Sequence, residues 1–320
     1  MKRSVFSAIL FLAIGMFLTN SAFALTVSPV KLELLGDPGK TLQGEVILLN
    51  EEKESKTFYS SFENFEASGE SGTPNFVPGK EGLAVWIKSV TQITLAGGQK
   101  KTIPFTVEIP KNAEPGGHFA AIFWSTTPPQ AGSGQVAVGA KIGSLILLKV
   151  SGDVKEGGGL LDFSTKNNQH FFTALPIDFT YRFQNSGNDR VNPSGQIQIK
   201  NIFGGVTASF NANKSQGNVL PASVRKFVAT WQNDEVKSDA SGFFSMVKKE
   251  WSHFALGYYT AHLDLTYGND NKEADSQYGF FIIPWQLLSV ILFILLIVAS
   301  FLFFGVKKYN RWIISKSRGI

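Results

Sequence analysis

The sequence predicts an all-β protein made of two tandem β-sandwich domains, followed by one transmembrane helix. Apolar and polar residues alternate over Thr102–Ile109, Ile177–Gln184 and Tyr258–Tyr267. Period-two alternation is typical of strands with one buried face, and turn residues between such strands favour sandwiches. A glycine triplet at 157–159 divides the β-rich region. The run from Trp285 to Val306 carries no charged side chain, so it predicts the helix.

The predicted helix is long enough to cross a bilayer. Its 22 residues reach about 33 Å as a helix, against a hydrocarbon core of about 30 Å. Trp285 stands at one end, and Lys307, Lys308 and Arg311 follow the other. Because basic flanks stay on the cytoplasmic side, we expect a type I plasma-membrane protein with a cytoplasmic tail at 307–320. The alternative is a buried core helix.

The N-terminus predicts export. Lys2 and Arg3 precede an apolar stretch from Val5 to Leu18, and Ala22-Phe23-Ala24 fits a cleavage site. We therefore expect a signal peptide over residues 1–24. An uncleaved anchor is the alternative interpretation.

Charge and cysteine content restrict the function. Seven of the 30 basic residues lie in the signal and tail segments, which carry no acid, so the net charge of +5 reflects topology. The remainder shows no clustered basic charge, and we expect no nucleic-acid partner. The chain has no cysteine, which excludes thiol catalysis and favours a bacterial surface.

The predicted ectodomain divides at the glycines. We expect an N-terminal sandwich over 25–152 and a C-terminal one over 160–283, with Gly157–Gly159 as the linker. The first domain is predicted to close on a strand from Val136 to Val150. A last strand, Ser276–Ile283, is predicted to lead to the membrane.

One segment, Asn233–Leu256, interrupts the β pattern. Phe243, Phe244, Val247, Trp251 and Phe254 recur at roughly helical spacing. The segment feeds the hairpin that descends to the predicted transmembrane helix, so it lies near the membrane. It either rests on the lipid headgroups, together with Trp285, or caps the open end of the sandwich core.

The stretch Gly116–Pro128 predicts a strand that is apolar on both faces. Phe119 and Phe123 take one face and Trp124 takes the other. Either the strand is covered on both sides, or these aromatic side chains form an interaction surface.

Catalytic and metal-binding patterns are not found in the sequence. The four histidines are not paired at ligand spacing, and no nucleophile-elbow motif occurs. We expect no enzyme activity, no cofactor and no metal site. A surface hydrolase remains an alternative, because two catalytic carboxylates can be distant in the sequence and meet only in the folded protein.

Short motifs resemble the WxL-interacting protein family of bacterial surface proteins. The motifs are Val27-Ser28-Pro29, a Pro-Gly turn, Val46–Asn50, Glu114–Phe119, Phe183–Gly187, Leu220-Pro221 before Arg225, and Gly257–Thr260. The resemblance covers nearly the whole predicted mature chain and implies two immunoglobulin-like domains. It implies that the first associates with peptidoglycan and the second with other surface proteins. Asn233–Leu256 departs from the family as an insertion, and pilus-chaperone N-domains share part of the pattern.

We therefore expect a membrane-anchored bacterial surface protein that binds cell-wall polymer or partner surface proteins. The alternative is an extracytoplasmic accessory or sensor subunit of an integral-membrane complex.

Overall fold

The computed structural model describes residues 25–128, 140–232 and 242–317. The predicted signal peptide lies outside the described residues, as do parts of two internal segments. The chain divides into two compact units. The first comprises the chain up to Glu66 and Asn75–Val154, and the second comprises Ala67–Pro74 and Lys155–Ile320.

The first unit contains two sheets. Its elements are β1 Leu25–Ser28, β2 Lys31–Gly36, β3 Thr41–Asn50, β4 Lys56–Ala67, β5 Pro74–Pro78, α1 Leu83–Trp86, β6 Ile87–Ser89, β7 Gln92–Leu95, β8 Lys100–Glu108, β9 Gly116–Ser125 and β10 Lys141–Val150. One sheet has the order β1-β3-β8-β6. The other has the order β2-β10-β9-β4-β5, with β7 also paired to β4. β2 is parallel to β10.

The two sheets of the first unit enclose one core. Alternate residues point inward, as a two-residue period requires. The first sheet contributes Val46, Leu48, Ile103, Phe105 and Val107, and the second contributes Phe58, Ile122, Trp124, Ile146 and Leu148. Because both sheets supply one apolar cluster, this unit is a β-sandwich.

The second unit also contains two sheets, followed by helices. Its elements are β11 Gly158–Thr165, β12 Phe171–Phe172, β13 Ile177–Asn185, β14 Ser194–Asn201, β15 Val206–Asn211, β16 Ser223–Trp231, α2 Phe243–Ser252, β17 Gly257–Tyr267, β18 Lys272–Ile282 and α3 Trp285–Ser317. The sheet orders are β11-β13-β16 and β12-β18-β17-β14-β15. The shared core includes Phe179, Tyr181 and Phe183 from the first sheet and Ile197, Leu263 and Phe280 from the second.

The mostly-β class and the C-terminal apolar helix are confirmed. The alternating runs lie in β8, β13 and β17. The predicted strand Val136–Val150 begins later, at Lys141, in the described residues, and its first part lies outside them. The last strand begins earlier than predicted and ends at Ile282, because its polar first half pairs with β17 through the whole hairpin.

The prediction that Gly157–Gly159 forms a linker is wrong. Gly158 and Gly159 open β11 and pair with Asn185 and Gln184 of β13. Gly158 has a φ of 142°, and a Cβ there would lie 2.2 Å from the carbonyl oxygen of Gln184. Glycine is therefore needed at 158 for close approach of two strands, a role that sequence composition does not distinguish from flexibility.

A buried asparagine ends one long strand in each unit. Asn50 closes β3 and Asn185 closes β13, and both side chains are buried. Asn50 Nδ2 donates to the carbonyls of Glu54 and Leu95. Asn185 Nδ2 donates to the carbonyls of Asp189 and Val219. In each unit the amide therefore ties the loop that follows the strand to a neighbouring segment.

Candidate membrane-contact surface

The long C-terminal helix α3 is apolar enough to cross a membrane. Residues Trp285–Ile314 form a 30-residue candidate span, whose most apolar 18-residue window has a mean hydropathy of 3.1 and is only 6% buried. Pro284 precedes the helix, and its carbonyl accepts the Leu288 N–H. Proline suits the start of a helix because its missing N–H would have no partner there.

The helix continues beyond the predicted boundary at Val306. It includes Lys307, Lys308 and Arg311 and ends at Ser317, so most of the predicted tail is helical. Tyr309 and Trp312 alternate with these basic residues, which themselves have high helix propensity. The change from apolar to basic side chains after Val306 therefore does not end the helix.

The short helix α2 supplies most of the predicted membrane-contact residues. Phe243 and Phe244 open it and Trp251 lies in its last turn, as their helical spacing predicted. Phe244 and Trp251 are seven residues apart and so lie on one stripe of the helix. Both side chains are exposed, as is Phe254 just after the helix.

A buried contact joins α2 to the start of α3. The Glu250 carboxylate is 1% exposed, and its Oε2 accepts the Leu287 N–H at 2.6 Å. That N–H belongs to the first turn of α3, where backbone donors have no partner within the helix. The rings of Phe243 and Trp285 also meet, with centroids 6.2 Å apart. Negative charge is favourable at a helix N-terminus, so the contact orients α2 against α3.

The alternative that this segment caps the sandwich core receives little support from its aromatic side chains. Ala255 belongs to the core of the second unit, whereas Phe244, Trp251 and Phe254 are exposed. Trp285 is exposed as well. The part of the segment before Gly242 lies outside the described residues. Membrane contact by these side chains stays a prediction.

The aromatic residues of β9 are divided between two faces. Trp124 is 0% exposed and packs in the core of the first unit, where it lines a cavity of about 240 Å³ with Leu25 and Phe58. It therefore has no surface with which to contact a partner, contrary to its place in the predicted interaction surface. The reason is the strand's alternation, which aims residue 124 at the opposing sheet.

Phe119 and Phe123 lie on the outer face of the same sheet. There they join Phe65 of β4 and Phe76 of β5 in what we call the outer aromatic cluster. The ring centroids of Phe76 and Phe123 are 4.8 Å apart. Phe123 is only 7% exposed, whereas Phe76 and Phe119 are half-buried. The cluster therefore covers much of its own surface and leaves two rings partly accessible.

A charged pair borders this cluster. Lys141 Nζ lies 4.3 Å from the Phe123 ring centroid and 2.6 Å from a Glu63 carboxylate oxygen. A cation over an aromatic face is stabilising, and the carboxylate neutralises it. Sequence reasoning missed Phe65, Phe76, Lys141 and Glu63 because they come from distant strands, and only an antiparallel register would have brought them to Phe119 and Phe123.

The described residues show no group of three or more histidine, aspartate or glutamate side chains positioned to hold a metal ion. His118 Nε2 bonds to the Glu114 carbonyl oxygen at 2.9 Å, and His170 stacks on Tyr278. The first contact lies within one short segment, and the second joins two distant segments of the second unit.

No family model and no curated protein matches this chain. Among solved structures, it is similar to the class 5 fimbriae chaperone CfaA, with 12% identity and a TM-score of 0.38 over 81% of this chain and 100% of that one. It is also similar to the E. coli chaperone DraB, with 10% identity and a TM-score of 0.33 over 80% and 97% of the two chains. A chain of the Salmonella enterica SafA pilin–SafB chaperone complex gives 9% identity and a TM-score of 0.36 over 83% and 98%. These likenesses carry no functional inference.

Proposed function

We propose that this protein is a single-pass bacterial plasma-membrane protein that displays two immunoglobulin-like sandwiches outside the cell and binds other surface components. One observation carries the proposal. Helix α3 begins three residues after β18 ends and contains a 30-residue candidate span, whose most apolar 18-residue window is only 6% buried. Thirty residues of helix reach about 45 Å, enough to cross a bilayer and its headgroup layers.

The orientation follows from the two ends of this helix. Basic residues at 307, 308 and 311 mark the cytoplasmic side, and Trp285 at the other end suits the headgroup level. The sandwich units then lie outside the membrane, and the predicted signal peptide agrees with that direction.

The proposed activity is binding rather than catalysis, with peptidoglycan or other surface proteins as partners. The outer aromatic cluster supports it, because Phe76 and Phe119 present partly accessible rings beside the Lys141–Glu63 pair. Aromatic side chains on a sheet face are frequent anchors of interfaces. The resemblance to the WxL-interacting family is part of this proposal.

A sedimentation experiment tests the binding. The full chain, purified in detergent, is expected to sediment with isolated Gram-positive cell wall or to crosslink to a surface protein. A Phe76→Ser/Phe119→Ser variant is expected to lose this interaction. Val90→Ser, an exposed apolar position elsewhere on the first unit, serves as the matched control and is expected to retain it.

The opposite results contradict the proposal. If neither wall nor surface protein is recovered, the binding role fails. A crosslink from α3 to another membrane-spanning chain, with the double variant behaving like the parent, would favour the accessory-subunit alternative.

A further inference from the structure

The edge of the second unit from which α3 departs carries several exposed apolar side chains beyond those of α2. β18 ends at Ile282, and α3 begins three residues later, at Trp285. Among the described elements α3 packs on α2, and its apolar window is 6% buried, so the helix leaves the sheet rather than folding back over it. We call the α3 end of the five-stranded sheet its basal edge.

Strand register brings the β14–β15 turn to this basal edge. Asn201, the last residue of β14, pairs with Tyr259 of β17, and Tyr259 pairs with Phe280 of β18. The turn that follows therefore lies level with Ile282, close to the start of α3. Adjacent strands are about 4.8 Å apart, so the turn is displaced from β18 by roughly 10 Å.

The tip of this turn is apolar and held rigidly. Asn201 Oδ1 accepts the N–H groups of Phe203 and Gly205, both at 3.0 Å, and Gly204 has a φ of 80°. These bonds leave Ile202 70% exposed and Phe203 93% exposed. Turns in water favour polar residues, and this one closes with Gly204 and Gly205 after an isoleucine and a phenylalanine.

A row of aromatic rings continues the apolar surface along the basal edge. Phe281 stacks on Phe171 of β12, with centroids 5.5 Å apart, and meets Tyr258 of β17 at 5.0 Å. All three are exposed and point away from the core, since their neighbours Phe280 and Ile282 point into it. A Cβ at Gly279 would lie 2.1 Å from the Tyr258 hydroxyl, so Gly279 lets this ring lie across β18.

Acidic side chains are concentrated at the other end of the same hairpin. Asp264 pairs with Asp275, and Thr266 pairs with Glu273, next to the distal turn. Asp264 is six residues from Tyr258, which corresponds to about 20 Å along a strand. The half of the hairpin next to α3, Gly257–Leu263 with Ser276–Ile282, contains no acid. This half of the hairpin therefore carries no carboxylate that anionic lipid headgroups at the basal edge would repel.

We propose that Ile202 and Phe203, with the row Phe171–Phe281–Tyr258, form a second contact with the lipid headgroup region, separate from α3. The proposal rests on the proposed function, because α3 sets where the bilayer lies. Aromatic rings with a polar neighbour are favoured at that depth. The contact holds the second unit against the bilayer at a point about two strands away from the helix.

Site-directed fluorescence in vesicles tests the contact. The chain has no cysteine, so Phe203→Cys, Asn269→Cys and Leu295→Cys each give one labelling site for the fluorophore NBD. Position 269 lies in the distal turn and serves as the aqueous control, and position 295 lies midway along the uncharged run Trp285–Val306. The full chain is reconstituted in vesicles of phosphatidylcholine and phosphatidylglycerol in equal parts, with circular dichroism to check folding.

We expect headgroup-nitroxide lipid to quench the label at 203 several-fold more than the label at 269, and acyl-chain nitroxide to quench the label at 295. Equal quenching at 203 and 269, with 295 quenched, would overturn this inference and leave the membrane anchor in place. A label at 203 that is shielded from aqueous iodide but not quenched by nitroxide lipid would indicate a protein partner and would also overturn it. No quenching at 295 would remove the anchor and the inference together.

Discussion

Glu250 and Leu287 connect the two helices of the second unit through one hydrogen bond of 2.6 Å. The carboxylate is buried, and its other oxygen, Oε1, has no hydrogen-bond partner among the described residues. A buried carboxylate oxygen without a partner is costly, so the bond to the first turn of α3 is the compensating interaction. The relative placement of α2 and the start of the proposed membrane span therefore depends on this residue.

Replacing Glu250 tests that dependence. Glu250→Ala removes the acceptor and leaves the Leu287 N–H unpaired, which costs about 1–3 kcal/mol. We expect faster hydrogen exchange throughout α2, measured by mass spectrometry on the full chain in detergent. Glu250→Gln keeps an acceptor oxygen and is expected to retain most protection, and Glu273→Ala, at an exposed position, is the control. Unchanged exchange in Glu250→Ala would show that other contacts hold α2.

The strand-ending asparagines give a second prediction. Asn50→Ala removes the amide donor from the buried carbonyl of Leu95 and from the part-buried carbonyls of Glu54 and Ala96. We expect a loss of about 2–4 kcal/mol in the free energy of unfolding, since each unsatisfied buried group costs about 1–3 kcal/mol. Urea unfolding measures it. Asn75→Ala removes an exposed side-chain bond and should change stability by less than about 0.5 kcal/mol.

Asn185→Ala is expected to show the same loss in the second unit. If both asparagine variants unfold at the same urea concentration as the parent, these residues do not stabilise the two units in the way proposed.

Alkaline pH tests the burial of Tyr181. Burial raises the pKa of Tyr181, and the nearby Arg225 guanidinium lowers it by less, so its pKa in the folded protein stays above the ordinary value of about 10. The unfolded chain releases the phenolic proton near pH 10, whereas the folded chain keeps it. Stability from the neutral phenol is therefore complete below about pH 10 and is lost as the pH rises further.

Tyr181→Phe should remove part of this alkaline loss. The hydroxyl donates only a long bond of 3.4 Å to the Ala212 carbonyl, so the variant should be close to the parent at about pH 8. Urea midpoints at about pH 8 and about pH 11 provide the comparison. Tyr258→Phe, at an exposed position of the same unit, should show the same difference between the two urea midpoints as the parent. An identical alkaline loss in Tyr181→Phe would contradict the account.

Substitutions at Trp124 test whether this residue belongs to the core or to a surface. Trp124→Ala should destabilise the first unit by about 3–5 kcal/mol, because it removes a fully buried indole from the core. Trp124→Phe should cost far less, since the indole N–H has no hydrogen-bond partner among the described residues to lose. Phe119→Ala, at a half-buried position, should cost less than Trp124→Ala. Urea unfolding in which Trp124→Ala matches the parent would place this residue outside the core.

The sequence predicted those parts of the fold that depend on local pattern. The strands β8, β13 and β17 and the start of α3 at Trp285 each have a signal within a few neighbouring residues. Alternation also predicted that Phe123 and Trp124 point to opposite faces, although it did not show which face was the core.

Other features depend on contacts between distant segments. Phe76 reaches Phe123 only because β4 lies between β5 and β9, an order that no local pattern encodes. In the sequence, Glu250 looks like an ordinary exposed polar position of a helix. It is buried only because α2 packs against α3. In the sequence, Gly158 looks like part of a flexible linker. Only its pairing with β13 shows that the backbones of β11 and β13 approach closely there. The β14–β15 turn has apolar residues visible in the sequence, but its position beside α3 required the pairing of three strands.

Cysteine accessibility on intact cells tests the central claim of a single span with external sandwiches. Asp270→Cys, in the distal turn of the second unit, and Lys316→Cys, at the end of α3, each place one thiol in a chain that has none. A membrane-impermeant maleimide should label position 270 in intact cells and position 316 only after lysis. Labelling of position 316 in intact cells, or protection of position 270, would contradict the account.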